Sequence, residues 1–320
     1  MRVDGTARAQ IAGTTMRSTQ SQRETLPRGS VPLDAATVIL TREGEKGGLE
    51  IFLMRRHRKQ EFMGGAFVFP GGQLDEGDCD SALIGHVHAF TPEDARRLLQ
   101  ETSLDPGKAF GLFIAAIREL FEETGVLLAI DDSGKAPVID TPHAIRHFGA
   151  LRERLHENGI TLRELAMGEK LRLAPGLLAP YAHWITPEIE TRRFDTRFFL
   201  ARIPERQTPR HDNVELTESR WMTPARALEE HWRGIITLMP PTLKTVEELG
   251  GFATVGELFG GASSRSIYPI LPQAFSEGGD LGVKLPHDPG YTIEAYRQPL
   301  RSDDPSRIVI RDGVWRTVKA

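Results

Sequence analysis

Residues 113–126, FIAAIRELFEETGV, constrain this chain more than any other stretch. Phe113, Ile114, Ile117, Leu120 and Phe121 recur at helical spacing and make one apolar stripe, so the segment must lie on a core. Asp105-Pro106 is a start signal and Gly125 a stop signal, which predicts a helix over 108–124. Arg118, Glu119, Glu122 and Glu123 fall on the opposite side. Glu119, Glu122 and Glu123 stand at i, i+3 and i+4, so their carboxylates converge on one patch. Like charges at that spacing each cost ~0.2–0.5 kcal/mol. They also occupy the last turn, where the helix dipole disfavours anions. The arrangement is unfavourable unless something cationic compensates. Arg118 reaches Glu122 at i+4, and a bound divalent cation would serve the others. Oxygen ligands, with no cysteine and no histidine pair at hand, favour Mg²⁺ or Mn²⁺ over zinc. The other reading is a solvated acidic helix face.

Strands interleaved with helices surround this segment and predict an α/β or α+β layered fold. Strands are expected at 36–41 and 49–54, joined through Gly47-Gly48, and at 66–69, where Pro70-Gly71-Gly72 halts the chain. A polar insertion over 79–107 carries one helix, capped by Thr91 with Pro92 at its first position. Helices follow at 142–157 and from Thr161, which has capping-box spacing to Glu164. Strands are expected at 181–185, 196–203 and 213–222, and helices at 224–231 and 241–249. A hairpin over 307–318 turns on Asp312-Gly313.

Composition narrows the function. The 320 residues carry 40 Lys plus Arg against 44 Asp plus Glu, a net charge of −4. A dedicated nucleic-acid binder would show a basic surplus. The single cysteine, Cys79, forms no internal disulfide and fits a reducing, cytoplasmic setting. No apolar run approaches the ~20 residues that span a bilayer, so no membrane role is expected. Residues 1–30 are polar, with five arginines and no apolar stretch. They read as a disordered tail rather than a secretory signal or a transit peptide. The final residues are not a peroxisomal address of the Ser-Lys-Leu type.

Phe69-Pro70-Gly71-Gly72 ends a strand in a tight turn, where glycine lets the backbone approach a ligand. Asp75, Glu76 and Asp78 follow. Together with the helix, this turn resembles a Nudix box: Gly, five residues, Glu, seven residues, then Arg-Glu-U-x-Glu-Glu-x-Gly-U, with U bulky and aliphatic. Gly72 fits the first position, and residues 118–126 fit the second half at every defined position. Two departures stand out. Asp78 replaces the first glutamate, which puts its helper role in doubt, and 39 residues separate it from Arg118 where seven are expected. Such an interrupted box resembles the peroxisomal coenzyme A diphosphatases of the Nudix family and their bacterial relatives. Residues 183–187, 192–199 and 239–242 agree with that branch.

The resemblance implies a Nudix α/β/α sandwich with a mixed central sheet over 31–255. An insertion at 79–112, a helical insertion at 131–180 and a C-terminal extension over 256–320 would decorate it. It also implies Mg²⁺- or Mn²⁺-dependent hydrolysis of a diphosphate in a small nucleotide, and a homodimer as the expected assembly. Glu119 and Glu123 would be direct metal ligands, Glu122 a third ligand or one acting through water, and the Gly72 carbonyl would complete the shell. Arg118 would orient a glutamate. The general base is expected from a later loop, at Glu215 or alternatively Glu218, against the reading of either as a surface acid.

Substrate choice rests on basic residues. The run Arg55-Arg56-His57-Arg58-Lys59 suits phosphate oxygens, or else balances nearby acids in a solvated loop. Arg193, Asp195 and Arg197 alternate along an expected strand, either contacting phosphates or forming a structural charge ladder. Coenzyme A hydrolases of the family carry an upstream signature that is half present here. Arg56, Gly65 and Phe69-Pro70-Gly71-Gly72 fit, while His57 and Glu61 depart. Coenzyme A or acyl-coenzyme A therefore leads. NDP-sugars, NADH, ADP-ribose and dinucleoside polyphosphates stay open, as does a Nudix-fold binding module without turnover. A nucleophilic hydrolase is disfavoured, because Asp78 and Asp80 flank Cys79 and would raise its thiol pKa, and no Gly-x-Ser-x-Gly elbow occurs.

Overall fold

The computed structural model describes residues 30–45, 47–57, 64–210, 216–301 and 303–320. The chain opens with an antiparallel pair, β1 (Leu33–Glu43) and β2 (Leu49–Arg56), in register at Thr41 and Ile51. Side-chain alternation along both strands feeds two cores. Ala36, Val38, Leu40, Phe52 and Met54 point to one, and Ile39, Ile51 and Leu53 to the other. β3 (Phe67–Val68) pairs with β2, and β4 (Gly71–Gln73) turns back along β1 with Gly72 opposite Ala36.

The insertion follows as two 3₁₀ turns and α1 (Pro92–Leu99), before α2 (Pro106–Thr124). Thr91 caps α1 in a reciprocal box with Asp94, as expected. Phe90, just before that cap, packs on Phe113 of α2 with ring centroids 4.9 Å apart. Then come β5 (Ala129–Ile130), α3 (Pro142–His156), α4 (Leu162–Gly168) and β6 (Arg172–Leu173), the two short strands pairing with each other.

β7 (Ala179–Ile185) and β8 (Phe194–Arg202) are antiparallel, and β8 runs parallel to β1 from Leu33↔Phe194 to Thr41↔Arg202. β9 (Leu216–Met222) pairs with β2. Residues 213–215 of the expected strand lie outside the described residues. α5 (Pro224–Trp232), α6 (Pro240–Leu249) and α7 (Val255–Ser263) cover the second core, and β10 (Pro269–Ile270) adds to β7. The result is a mixed sheet with α2 on one face and α5 to α7 on the other, the α/β/α sandwich expected.

The chain ends in an antiparallel meander of β11 (Gln273–Glu277), β12 (Asp280–Lys284), β13 (Arg307–Arg311) and β14 (Val314–Val318). The β13–β14 hairpin turns on Asp312 and Gly313, both with positive φ. The sequence reading anticipated neither α7 nor the β11–β12 hairpin. Nor is 256–320 a detached appendage. α7 and Val283, Leu285 and Ile308 join the second core, and His231 of α5 donates to the Trp315 carbonyl at 2.9 Å.

Candidate active site

Local signals place the acidic helix. Asp105 accepts from the Lys108 amide at 2.9 Å, Pro106 opens the first turn, and Gly125 closes the last in the left-handed conformation with φ 73°. The apolar stripe is fully buried, which holds the opposite side of α2 beneath β4. There the Gly71 amide donates to Glu123 Oε2 at 2.8 Å. Gly72 comes so near Glu119 that a Cβ added to it would lie 2.4–2.6 Å from the carboxylate atoms. The turn and the three carboxylates are therefore one site.

Arg118 is its hub. Its Nε and Nη2 each donate to Asp78 at 2.9 Å, Nη1 donates to Glu119 at 2.8 Å and to Glu122 at 3.0 Å, and Nη2 reaches the Gln73 carbonyl at 2.8 Å. Asp78 is only 2% exposed, and it also accepts from the Asp75 amide at 2.9 Å within its 3₁₀ turn. That turn carries the short aspartate to the guanidinium. Asp78 thus contacts the helix arginine despite the shorter side chain and the insertion behind it.

A second cation missed by the sequence reading is Arg152 of α3. Its Nε donates to the Glu122 carbonyl at 2.6 Å, which sets a positive charge at the C-terminus of α2.

Burial dominates the electrostatics. It pushes Glu119 up to about 7 against the attraction of Arg118, with Glu122 adding to the rise. Burial likewise raises Glu122 and Asp78, although Arg118 opposes it in both. Glu119 and Glu122 are turned onto Arg118, and Glu123 onto the Gly71 amide. As these side chains stand, no group of three acidic, histidine or cysteine side chains among the described residues is gathered to hold a metal. The donor chemistry nonetheless fits a hard divalent cation: anionic oxygens, poorly solvated, packed against the backbone of a glycine turn.

The pocket above these carboxylates has a volume of about 310 Å³ and is rimmed by Arg56, His156 and Arg192. Of the expected residues it collects Gly72, Arg118, Glu119, Glu122, Glu123 and Arg56. Three expected phosphate contacts lie elsewhere. Arg55 does not line the pocket and meets Glu218 at 3.5 Å, next to a register shift of the β2–β9 pairing between Arg55 and Arg56. Arg193 is buried, donating at 3.0 Å to the Thr186 and Ser30 carbonyls. Arg197 is buried among Glu101, Asp34 and Asp195, with bonds of 2.7 Å to Glu101 and 2.8 Å to Asp34. Those carboxylates already occupy its donors, so Arg197 pairs structurally with Asp195 and its neighbours, while Arg193 takes no part in such a ladder.

Glu218 is tied to Arg55 and Arg220 and does not line the pocket. Arg58 and Glu215 lie outside the described residues. Cys79 is exposed, with its thiol pushed up first by partial burial and then by Asp78.

Arg192, part of the 192–199 stretch that fits the branch, and His156 were not among the expected site residues. Arg192 sits over the Phe194 ring, 5.1 Å from its centroid, just before β8 begins. The adjacent Arg193, and not Arg192, falls in alternation with Asp195 and Arg197. His156 closes α3 and carried no local signal.

A mixed sheet between helices, with this carboxylate helix packed over a diglycine strand, defines a Nudix hydrolase. Within that class the chain belongs to the family of the NUDT19 Nudix domain, whose profile matches residues 31–249. The acyl-coenzyme A diphosphatase NUDT19 of Xenopus laevis is 28% identical over 285 residues, covering 77% of this chain and 73% of that protein. The human acyl-coenzyme A diphosphatase NUDT19 is 29% identical over 243 residues, covering 66% and 63%. Among solved structures, a NUDIX hydrolase from Alicyclobacillus acidocaldarius superposes with a TM-score of 0.59 at 26% identity, covering 75% of this chain and 99% of that one. Enzymes of this class generally work with a divalent metal.

Proposed function

We propose that the protein hydrolyses the diphosphate of coenzyme A or acyl-coenzyme A with Mg²⁺ or Mn²⁺. One observation carries the reading: three poorly solvated carboxylates and Gly72 form the floor of a pocket whose rim is Arg56, Arg192 and His156. Acidic floor and basic rim suit a metal-bound diphosphate. The relatives' activity on acyl-coenzyme A supports the choice of substrate.

Glu119 and Glu123 would hold the cation, with Glu122 and the Gly72 carbonyl completing its shell. When bound, the cation neutralises charge on the diphosphate oxygens and makes water a better nucleophile. Arg118 keeps Glu119 and Glu122 oriented and, fixed by Asp78, stays off the substrate. Arg56 and Arg192 bind phosphate oxygens. The oxygen of water bonds to one phosphorus as the bridging P–O bond breaks, leaving two phosphate monoesters. We assign the proton of that water to Glu215, because the competing Glu218 is engaged by Arg55 and Arg220. The substrate is a small nucleotide rather than a nucleic-acid strand, and a homodimer is the expected assembly. No helix among the described residues is long and apolar enough to cross a membrane, and a cytoplasmic setting is part of this proposal.

The test is a nucleotide panel incubated with Mg²⁺ and read by mass spectrometry. Coenzyme A species giving adenosine 3′,5′-bisphosphate and a 4′-phosphopantetheine are expected. Faster turnover of NDP-sugars, NADH or ADP-ribose would replace the substrate assignment.

A further inference from the structure

The carboxylate pocket continues into a larger cavity of about 460 Å³, and Arg56, Gly72 and Phe194 line both. One wall of this groove is the central sheet, with Phe69, Trp184 and Phe198. The other is the C-terminal meander. There Leu281 stands opposite Ile310, and Ile310 opposite Trp315, so the three form one row on one face of β12, β13 and β14. The neighbouring row, Val283 opposite Ile308, is sealed in the core. Leu281 and Ile310 instead remain 46% and 41% exposed. Two large apolar side chains of that row are thus left uncovered beside a site built for a charged group, with Trp315 partly packed on the second core behind them. Covering apolar surface of this kind is favourable.

We propose that this groove takes the aliphatic chain of an acyl-thioester substrate, with Leu281, Ile310 and Trp315 as its outer wall. The proposal rests on the reading of the carboxylate pocket as a coenzyme A diphosphate site, and it gives residues 256–320 a role in selecting chain length. Continuity and charge argue for this occupant. A ligand anchored by phosphates at Arg56 and Arg192 meets an apolar channel next, and an acyl chain enters it without stranding polar groups. A peptide would bring backbone N–H and C=O groups that the apolar walls do not satisfy. Residues 1–29 of this chain, polar and with five arginines, match the groove poorly.

The test uses the full chain in EDTA, so that binding is read without turnover. Calorimetry compares coenzyme A with dodecanoyl-coenzyme A. Wild type is expected to bind the dodecanoyl form about tenfold more tightly or better. Leu281→Glu and Ile310→Glu should bring that ratio towards one, and the milder Leu281→Ala should lower it in part. Met167→Glu, at a 52% exposed site on α4 outside the groove, should keep the wild-type ratio. Circular dichroism and the melting temperature verify folding, which the half-exposed positions favour.

Equal wild-type affinities, or a ratio unmoved by the row variants, would overturn the proposal. So would a dimer in sedimentation that Leu281→Glu dissociates without moving the ratio, since a second copy would then cover the row. If the ratio behaves as expected but Mg²⁺ elicits no cleavage of either ligand, the groove stands and the diphosphatase reading fails. Cleavage of coenzyme A with no chain-dependent binding is the reverse result.

Discussion

Asp78 and Arg118, 40 positions apart, are joined by two hydrogen bonds of 2.9 Å through the Nε and Nη2 of one guanidinium. The insertion leaves from this clamp and returns to it. Because the same guanidinium holds Glu119 and Glu122, Asp78 acts on those two carboxylates through the arginine. Asp78→Asn should lower kcat at least about tenfold and destabilise the fold by about 3 kcal/mol, the cost of breaking a buried pair. Asp78→Glu, restoring the residue usual at this place in the box, should keep more activity than Asp78→Asn. Steady-state kinetics and denaturant unfolding check both, and wild-type values in Asp78→Asn would refute the clamp.

Gly72 leaves no room for a side chain. Gly72→Ala places a methyl within 2.6 Å of the Glu119 carboxylate, which must swing away. We expect a loss of roughly 100-fold in kcat with weakened Mg²⁺ activation, in line with displacement of a catalytic group by about 1 Å. A Mg²⁺ titration of activity reads this directly. A normal titration curve would mean that the strand gives way instead.

The raised Glu119 carboxyl links protons to stability, and through the proposed metal role it would link both to the cation. In the folded, metal-free protein it holds its proton up to about 7, against an ordinary value of 4.5. The folded state therefore binds this proton more tightly. The stability it contributes is fully present below about 4.5 and is lost as pH rises through about 7. A divalent cation competes with the proton, so its stabilising effect should grow across the same interval. The gain in Tm from millimolar Mg²⁺ should be larger at roughly pH 7.5 than at roughly pH 5, by on the order of a few degrees. Glu119→Gln should flatten that difference. Equal gains at both pH values in wild type would remove Glu119 from the metal shell.

Neighbouring arginines should behave differently. Arg56 lines the pocket, and Arg56→Ala should raise KM roughly tenfold with a smaller change in kcat, as for binding shared by ground and transition states. Arg55 does not line it and meets Glu218 in a partly exposed pair, and Arg55→Ala should change KM by no more than about twofold. Arg192→Ala should resemble Arg56→Ala. Matching effects of Arg55→Ala and Arg56→Ala would contradict their separate placement.

The proposed proton acceptor, Glu215, can be separated from its neighbour Glu218 by pH profile. Glu215→Gln should cut kcat by roughly 100-fold and remove the acidic limb of the profile. Glu218→Gln should leave that limb in place. An intact limb in Glu215→Gln would move the role to a box carboxylate.

Much of the local architecture around the pocket is legible in the sequence alone. The acidic helix, its capping residues, the diglycine turn and the Nudix resemblance depend on periods of a few residues and on local backbone preferences, so they survive in one dimension. The α/β/α layering followed from strands interleaved with helices. Other assignments depended on where distant segments meet. Spacing alone left Asp78 in doubt, because nothing local shows a 3₁₀ turn carrying it to Arg118 across the insertion. Arg55 and Arg56 look alike in sequence and part only where β2 pairs with β9, across a register shift between them. Arg197 looked available to phosphate until Asp34 and Glu101, brought from β1 and from the end of the α1 segment, closed around it. The β11–β12 hairpin carries too weak an alternation to be read, so the groove it helps to build was invisible. Local propensity determines elements and motifs. Which charges are neutralised, and which apolar rows stay uncovered, is decided by long-range packing, because charge pairing and burial depend on distance in space and not on separation along the chain.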